Sequence, residues 1–433
     1  MKRLCAIATS ICLCTAPLGA QEFISLKGHG GPIMGLAVTD EGRVVSASFD
    51  NSIGLWNGSE AAWLEAHEAA VIVALPLPLP DGRVVSGGDD FSVLVWDDGN
   101  ARELGQHRGK VTALALSPDG QTLASTSWDG TAVLWPLKSG EPKVLTPRDT
   151  GVNDVAFSPS GTHALLATTK GEILAYDLRE ETAPEPLVQH GFGVNRLMMS
   201  PDGAWLAYGA VDGGTRVVRP ATGAPIADFT LDRKPILSFA HHAETAQLAV
   251  GDGHGYIMII DTRTWKIAKD FRAMRRGPVW ALAFSPDGGM IYAGGLDDVV
   301  YGWPVALLDD FDPVGGQERS FLRDADKMGN GERQFMRKCS ICHALEEEGG
   351  RKAGPTLFGL FGRPAGTVSG YRYSDTLKGS DIVWTEETID QLFDLGPDHY
   401  IPGSKMPMQI IARDEDRKDL ITFLKTTSHE LEK

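Results

Sequence analysis

The chain has 433 residues, of which 42% are apolar and 50 are glycine, and this suits two or three turn-rich domains better than one. The net charge is −16, and it becomes −18 if Lys2 and Arg3 are removed with a leader segment. A chain this acidic lacks the basic surface that binding to nucleic acid or anionic lipid requires, so we expect neither as a partner.

Residues 1–20 have the pattern of a secretory signal peptide. Lys2 and Arg3 precede a short apolar run, and Leu18-Gly19-Ala20 resembles a small-residue cleavage site. An uncleaved membrane anchor is the alternative, but an apolar run of about 12 residues is shorter than the ~20 that a spanning helix needs. We predict export to the periplasm, a mature chain that begins at Gln21, and no membrane span after cleavage.

The cysteines narrow the chemistry further. Three of the five lie within residues 1–20, so only Cys339 and Cys342 remain after cleavage. An exported protein with two cysteines is not a disulfide scaffold. The pair is therefore either a redox dithiol or the attachment point of a cofactor.

A repeat fills residues 22–306. Its clearest copies carry an Asp followed six residues later by a Trp, at Asp50/Trp56, Asp90/Trp96, Asp129/Trp135 and Asp297/Trp303. The equivalent last positions between Trp135 and Trp303 are Tyr176, Val218 and Ile260, which gives seven copies. Short apolar runs end in Ser-Pro-Asp-Gly turns such as residues 117–120, a pattern typical of antiparallel strands. Four strands per copy at this period predict a propeller blade.

This segment resembles the WD-repeat family. The first three copies have a His before the first strand (His29, His67, His107) and a Ser four residues before the Asp (Ser46, Ser86, Ser125). In the family these groups hydrogen-bond to the Asp and the Trp. The middle copies depart from the pattern, since Lys170 replaces the Asp, and Arg219-Pro220 and Ile260-Asp261 replace Trp-Asp. The resemblance implies an all-β seven-bladed propeller, and residues 23–27 are expected to supply the missing fourth strand of the last blade.

The repeat stops before Asp309, and the signals then become helical. We predict a linker over residues 307–325 and an all-α domain over residues 326–430. In Cys339-Ser340-Ile341-Cys342-His343, two thiols three residues apart share a helix face and can reach the vinyl groups of one porphyrin, with His343 beneath the ring. A thioredoxin-like dithiol would need a βαβ context, and a zinc site would need two further ligands.

From Gly329 to Thr427 the chain resembles a class I cytochrome c of the mitochondrial and related bacterial type. The resemblance rests on residues 354–363, residues 371–375 with Trp384, and residues 400–406. It implies one covalent haem c held by Cys339 and Cys342, with His343 and Met406 as axial iron ligands. It also implies that Pro355 orients His343, that Arg363, Tyr373 and Trp384 hold a haem propionate, and that Gly331 and Phe335 pack against Leu420 and Phe423.

Three alternatives bear on the ligands. Met408 and His399 are rival iron ligands, and the register of the resemblance favours Met406. The family's Tyr that bonds the Met sulfur is replaced by the Leu392-Phe393 region, so we expect that hydrogen bond to be missing and the potential to differ. We interpret His241-His242 as a surface pair rather than a metal site.

His/Met ligation fills both axial positions of the iron, which favours a periplasmic one-electron carrier. From Ser320 onward 16 Lys or Arg face 19 Asp or Glu, so the haem domain is nearly neutral and the acidic propeller is expected to dock redox-partner proteins. The rivals are a haem enzyme, nitrite-reductase-like or peroxidase-like, and a scaffold that recruits a redox partner.

Overall fold

A computed structural model describes residues 23–78, 83–146, 150–180, 183–274, 276–308, 328–406 and 409–428. The predicted signal peptide, most of the predicted linker and the rival ligand Met408 lie outside these residues. Within them, all strands fall between Ile24 and Pro304, and all α-helices fall between Asn330 and Thr427.

The strand-rich part consists of seven four-stranded antiparallel sheets. The strands are β1 Ile24–Lys27, β2 Ile33–Val38, β3 Val44–Ser48, β4 Ile53–Asn57, β5 Glu60–Leu64, β6 Val71–Pro76, β7 Val84–Gly88, β8 Ser92–Asp97, β9 Asn100–Gln106, β10 Val111–Leu116, β11 Thr122–Ser127, β12 Ala132–Pro136, β13 Lys143–Leu145 and β14 Val152–Phe157. The remaining strands are β15 His163–Thr168, β16 Glu172–Asp177, β17 Glu185–Gln189, β18 Val194–Met199, β19 Leu206–Ala210, β20 Thr215–Val218, β21 Pro225–Asp228, β22 Ile236–His242, β23 Gln247–Asp252, β24 Tyr256–Asp261, β25 Lys266–Arg272, β26 Val279–Phe284, β27 Met290–Gly295 and β28 Val299–Pro304.

The sheets are the blades of a propeller. Six blades take four consecutive strands each, beginning with β2, β6, β10, β14, β18 and β22. These first strands line the centre, each contacts the first strand of the next blade, and β26 contacts β2, so the ring closes. The predicted seven-bladed propeller is confirmed.

The last blade closes as the sequence predicts. Strand β1 pairs antiparallel with β28, with Ile24 opposite Gly302 and Lys27 opposite Val299. The blade has the order β1-β28-β27-β26, so the N-terminal strand completes a sheet whose other three strands come from the far end of the repeat. Leu26 is buried at this junction beside Val300.

The polar set of the WD repeat forms in the first three blades. In the first blade Trp56 Nε1 donates to Ser46 Oγ at 2.7 Å, and that hydroxyl bonds His29 Nε2 at 2.7 Å. His29 Nδ1 donates to Asp50 Oδ2 at 3.0 Å. The second and third blades repeat the chain through His67-Ser86-Trp96 and His107-Ser125-Trp135. Each set links the strands of one blade. Its polar groups are buried away from water, and the hydrogen bonds within the set satisfy them.

The middle blades lack the complete polar set, and side chains of their inner strands link each blade to the next. Side chains on these inner strands donate to backbone carbonyl oxygens of the next inner strand: Asn153 to Val194, Asn195 to Ile236, and Ser238 to Val279, each at 2.9 Å, and Arg196 to Leu237 at 2.8 Å. The fifth blade also keeps a His–Asp pair that the sequence analysis missed, since His190 Nε2 lies 3.0 Å from Asp212 Oδ1. Tyr208 stands where the Ser would be and packs edge-on against His190.

The C-terminal part is helical. Its helices are α1 Asn330–Lys338, α2 Asp375–Lys378, α3 Glu386–Leu395, α4 Pro397–Tyr400 and α5 Asp414–Thr427. Helix α1 crosses α5, and the Phe335 and Phe423 rings lie 5.5 Å apart between them. A Cβ at Gly331 would lie 2.8 Å from Phe423 Cβ, so the crossing depends on the missing side chain. The predicted packing of Gly331 and Phe335 against Leu420 and Phe423 is confirmed. In the described part of the chain, no helix has the length and apolar character that crossing a membrane requires.

Candidate functional site

The end of helix α1 brings the two cysteines and the histidine of the motif together. Cys339 caps the helix, and the backbone N–H groups of Cys342 and His343 both donate to its carbonyl oxygen, at 3.0 and 2.8 Å. This single tight turn directs all three side chains into one cleft of the helical part. The spacing of the motif therefore produces the convergence that the sequence analysis expected.

The imidazole of His343 is fixed in orientation. Nδ1 donates to the carbonyl oxygen of Pro355 at 2.7 Å, which leaves the lone pair on Nε2. Burial lowers the pKa of His343, so the ring is held neutral, as metal ligation requires. Gly354 packs against the ring, and a Cβ there would lie 2.7 Å from Nδ1. The hydrogen bond from His343 Nδ1 to the Pro355 carbonyl is the contact through which Pro355 would orient the ring.

The two thiols do not have the character of a redox dithiol. Burial raises the pKa of Cys339 to about 12 and that of Cys342 to about 11. Reactive Cys-x-x-Cys pairs need a thiolate, which a lowered pKa provides. The environment of this pair favours the cofactor attachment over the thioredoxin-like alternative.

The cleft is apolar and suits a flat hydrophobic group. Its walls come from α3, α5 and the segments around them: Leu357, Leu360, Leu377, Ile389, Leu392, Phe393, Ile401 and Leu424. Leu392 and Phe393, which replace the family's Tyr, are both buried in this wall. No hydroxyl is therefore supplied from these two positions.

Polar groups at the cleft match the acidic substituents of a porphyrin. The Arg363 guanidinium donates to the carbonyl oxygens of Phe358 and Thr356, and burial lowers its pKa. Ser374 Oγ and Gln409 Oε1 are buried in the lining and have no hydrogen-bond partner within the described residues. A half-buried guanidinium and the unpaired Ser374 hydroxyl, which can donate, lie beside an apolar slot and fit a ring that carries carboxylates, so the residues present fit haem.

The other predicted site residues also reach the cleft. Met406, Tyr373 and Trp384 all line it, and Tyr373 Oη accepts from the Val368 N–H at 3.3 Å. His399, the bis-histidine alternative, lies on α4 and is not among the lining side chains of the described cleft. The propionate contacts of Arg363, Tyr373 and Trp384 stay predictions, as does the choice of Met406 over Met408.

The sequence analysis missed two groups of residues. Tyr371 Oη donates to the Ala353 carbonyl at 2.7 Å and lines the cleft beside Tyr373. Loops of the propeller also line it, through Phe49, Asn51, Glu68, Ala69, Ala70 and Asp89. These propeller residues are far along the chain from the Cys-x-x-Cys-His motif, so no sequence pattern indicated that they line its cleft.

A propeller is followed by a small helical domain whose Cys-x-x-Cys-His turn opens into an apolar cleft, and this combination is that of a haem-binding electron-transfer domain joined to a propeller. Comparison with known families agrees with both parts. The Cytochrome c family model matches residues 329–428. The model described as WD domain, G-beta repeat, matches residues 21–57, 59–97, 100–136 and 267–303. The stretch without a match holds the middle blades, whose motif residues are replaced.

Individual relatives are similar to the C-terminal part alone. Cytochrome c of Stellaria longipes is 44% identical over 91 residues, which cover 83% of that protein and 21% of this chain. Cytochrome c of Gibberella zeae is 42% identical over 91 residues, covering 85% and 21%. Cytochrome c of Arabidopsis thaliana is 45% identical over 87 residues, covering 77% and 20%.

The chain belongs to the cytochrome c family, with its cytochrome domain placed behind a WD-repeat propeller. It is an electron-transfer protein that carries a covalently bound haem c with its iron. The propeller gives it a surface of the kind that WD-repeat proteins use to bind other proteins.

Proposed function

We propose that the protein is an exported, periplasmic one-electron carrier whose haem iron is ligated by His343 and Met406, with Cys339 and Cys342 as the thioether attachments. The observation that carries the proposal is the convergence of these four side chains on one apolar cleft. Haem c, when bound, supplies a couple that accepts and releases one electron at its iron.

Each residue of the site has a task in this function. The Pro355 carbonyl holds the His343 ring so that Nε2 faces away from the hydrogen bond. Met406 offers a thioether, a neutral ligand that favours the reduced state. Arg363 offsets the charge of a propionate in a place that burial makes costly for an unpaired anion. The apolar wall excludes water, which limits reorganisation when the charge changes.

The propeller serves as the protein-interaction platform in this proposal. Large apolar side chains are exposed on its loops, with Trp128 at 56%, Phe192 at 59% and Phe91 at 41%. Exposed aromatic groups of this kind are enriched at protein contacts. We propose redox-partner proteins as the ligands of this platform.

Two measurements test the proposal. Intact mass of the protein from the periplasmic fraction should correspond to a chain that begins at Gln21 and carries one haem. A redox titration should fit one electron per chain, and the ferrous protein should not bind carbon monoxide, because both axial positions are filled. A chain that retains residues 1–20 in the cytoplasm contradicts the location, and rapid carbon monoxide binding contradicts the ligation.

A further inference from the structure

The mouth of the haem cleft faces the propeller. Residues of the first two blades line the same cavity as Cys342, His343 and Met406. They come from loops at one face of those blades: residues 49–52 between β3 and β4, residues 65–70 between β5 and β6, and Asp89 just after β7. The cavity that receives the cofactor is therefore bounded by both parts of the chain.

Three basic residues of the cytochrome domain contact one propeller loop, which we call the docking loop, Glu65–Ala70. Arg351 pairs with Glu65, and its guanidinium carbon lies 4.4 Å from the centre of the Trp63 ring. Arg372 Nη2 donates to the Ala66 carbonyl oxygen at 2.9 Å. Lys405 Nζ lies 3.2 Å from Glu68 Oε1.

The charges across this contact are complementary. The cytochrome domain contributes only cations to these contacts, and the docking loop contributes carboxylates and carbonyl oxygens. Trp63 adds a cation–π contact under Arg351, which an aromatic ring provides for a guanidinium. The net charge of the cytochrome domain is nearly neutral, but Arg351, Arg372 and Lys405 form a local basic patch at the mouth of its cleft.

These few contacts are weak, but they act between two parts of one chain. An exposed ion pair contributes little, of the order of 0–1 kcal/mol in general, and salt weakens it. The two parts belong to one chain, however, and a covalent connection can give an effective concentration of up to roughly millimolar. A contact too weak to hold two separate proteins together can therefore form between two parts of one chain.

We propose that the docking loop is an internal binding partner of the cytochrome domain and covers the mouth of the haem cleft. A redox protein that approaches the haem from this side must displace the loop, and high salt favours the open form. In addition to redox-partner proteins, the propeller then binds the cytochrome domain of its own chain. It depends neither on the location of the protein nor on the identity of the sixth iron ligand.

Carbodiimide cross-linking of the full-length haem protein tests the contact. The reagent joins a carboxylate and a lysine amine as an amide and leaves as the urea, so it links only groups in direct contact. At low salt we expect a Glu68–Lys405 link within one chain, identified by peptide mass spectrometry of the monomer band. The yield should be independent of protein concentration and should fall as salt is added, because the carboxylates of both pairs are exposed to solvent.

A charge exchange at a neighbouring pair makes the test specific. Arg351→Glu places a like charge against Glu65, and we expect the yield of the Glu68–Lys405 link to fall about tenfold. Arg351→Glu combined with Glu65→Arg restores the opposite charges and should return most of the yield. Glu60→Arg, combined with Arg351→Glu, is the matched control for Glu65→Arg, because Glu60 begins the strand that ends beside Glu65 and both substitutions raise the net charge by two. This combination should not restore the yield. The haem absorbance of every variant reports that its cytochrome domain is folded.

Three results would overturn the proposal. They are a protein with full haem content and no such link, a yield that Arg351→Glu leaves unchanged, and a link that forms only between two chains. None of them bears on one-electron transfer, so failure here is distinguishable from failure of the proposed function.

Discussion

Met406 is the residue on which the proposed ligation depends. Met406→Ala should abolish the weak sulfur-to-iron charge-transfer band and lower the reduction potential, because a thioether ligand favours ferrous iron. The opened position should then bind water or carbon monoxide. Absorption spectroscopy and a redox titration measure both changes.

Met408→Ala is the control for this variant. It should keep the band, because Met408 is not the iron ligand in this proposal. Loss of the band in Met408→Ala alone would show that the register carried over from the family is wrong.

Asp50 makes the first blade sensitive to acid. Burial raises the pKa of this carboxyl, but hydrogen bonds from His29 and Ser52 lower it more, so the pKa of Asp50 in the folded chain lies below its usual 3.8. The stabilisation is therefore complete above pH 3.8 and is lost as the pH falls through the folded value. We expect the melting temperature of the propeller, followed by tryptophan fluorescence, to fall below that pH.

Asp50→Asn should flatten this acid limb of the stability profile and lower stability at neutral pH. Asp119→Asn is the matched change in an exposed turn, where hydrogen bonds from Ser117 and Gln121 also lower the pKa of Asp119 but solvent screens the charge. Its profile should stay close to that of the wild type. Equal profiles for the two variants would show that burial does not distinguish them.

Local motifs predicted most of the site, and long-range contacts supplied the rest. The Cys-x-x-Cys-His turn and the Pro355 carbonyl lie within about twenty residues of one another, so their spacing in the sequence carries their geometry. Arg351, Arg372 and Lys405 are scattered along the chain, and a sum of charges does not reveal that they meet at the cleft. The sequence expectation of a propeller that docks partners did not identify this domain as one of them.

At the scale of elements, the crossing of α1 and α5 is set by a missing side chain. A Cβ at Gly331 would overlap the Asp419 carbonyl of α5, and a backbone atom yields less easily than a flexible side chain. Gly331→Ala gains about 0.5–1 kcal/mol from helix propensity. Overpacking costs about 1–3 kcal/mol, so the net effect should be destabilising.

Thermal unfolding of the cytochrome domain, followed by haem absorbance, measures this effect. Gly329→Ala is the control, since Gly329 caps the same helix and a Cβ there would meet nothing within 4 Å. It should lose at most about 1 kcal/mol, the cost of a poorer N-cap residue, and so less than Gly331→Ala if overpacking dominates there. A Gly331→Ala variant that melts at or above the wild-type temperature would show that the two helices separate freely at this point.

The blades differ in how far their internal hydrogen bonds can be predicted from the sequence. Blades with the complete His, Ser, Asp and Trp set were predictable one by one, because four residues at fixed spacing form one hydrogen-bond chain. The middle blades were predictable only from the period. Their links run from Asn153, Asn195 and Ser238 to carbonyl oxygens of the next blade, and a single polar residue on a strand gives no distinctive pattern.

At the scale of the whole molecule, closure of the ring joins the start of the propeller to its end. The edge of β28 would otherwise expose unpaired backbone groups. β1 covers that edge and inserts Leu26, which is 3% exposed, beside Val44 and Val300. Packing against blade seven continues after β28, because Leu308 is buried in the same cluster as Trp303. The stability of the ring should therefore depend on four residues near the N-terminus.

Leu26→Ala tests this dependence. Removing a buried leucine side chain costs about 2–5 kcal/mol, and in a domain of this size each kcal/mol lowers the melting temperature by roughly 2–4 °C. We expect the propeller, followed by tryptophan fluorescence, to melt roughly 5–15 °C lower, while haem absorbance reports a cytochrome domain of unchanged stability. Ser25→Ala is the matched control, because Ser25 lies on the same strand with its side chain exposed. If Leu26→Ala melted with Ser25→Ala and the wild type, β1 would be dispensable and the contacts between the inner strands would hold the ring.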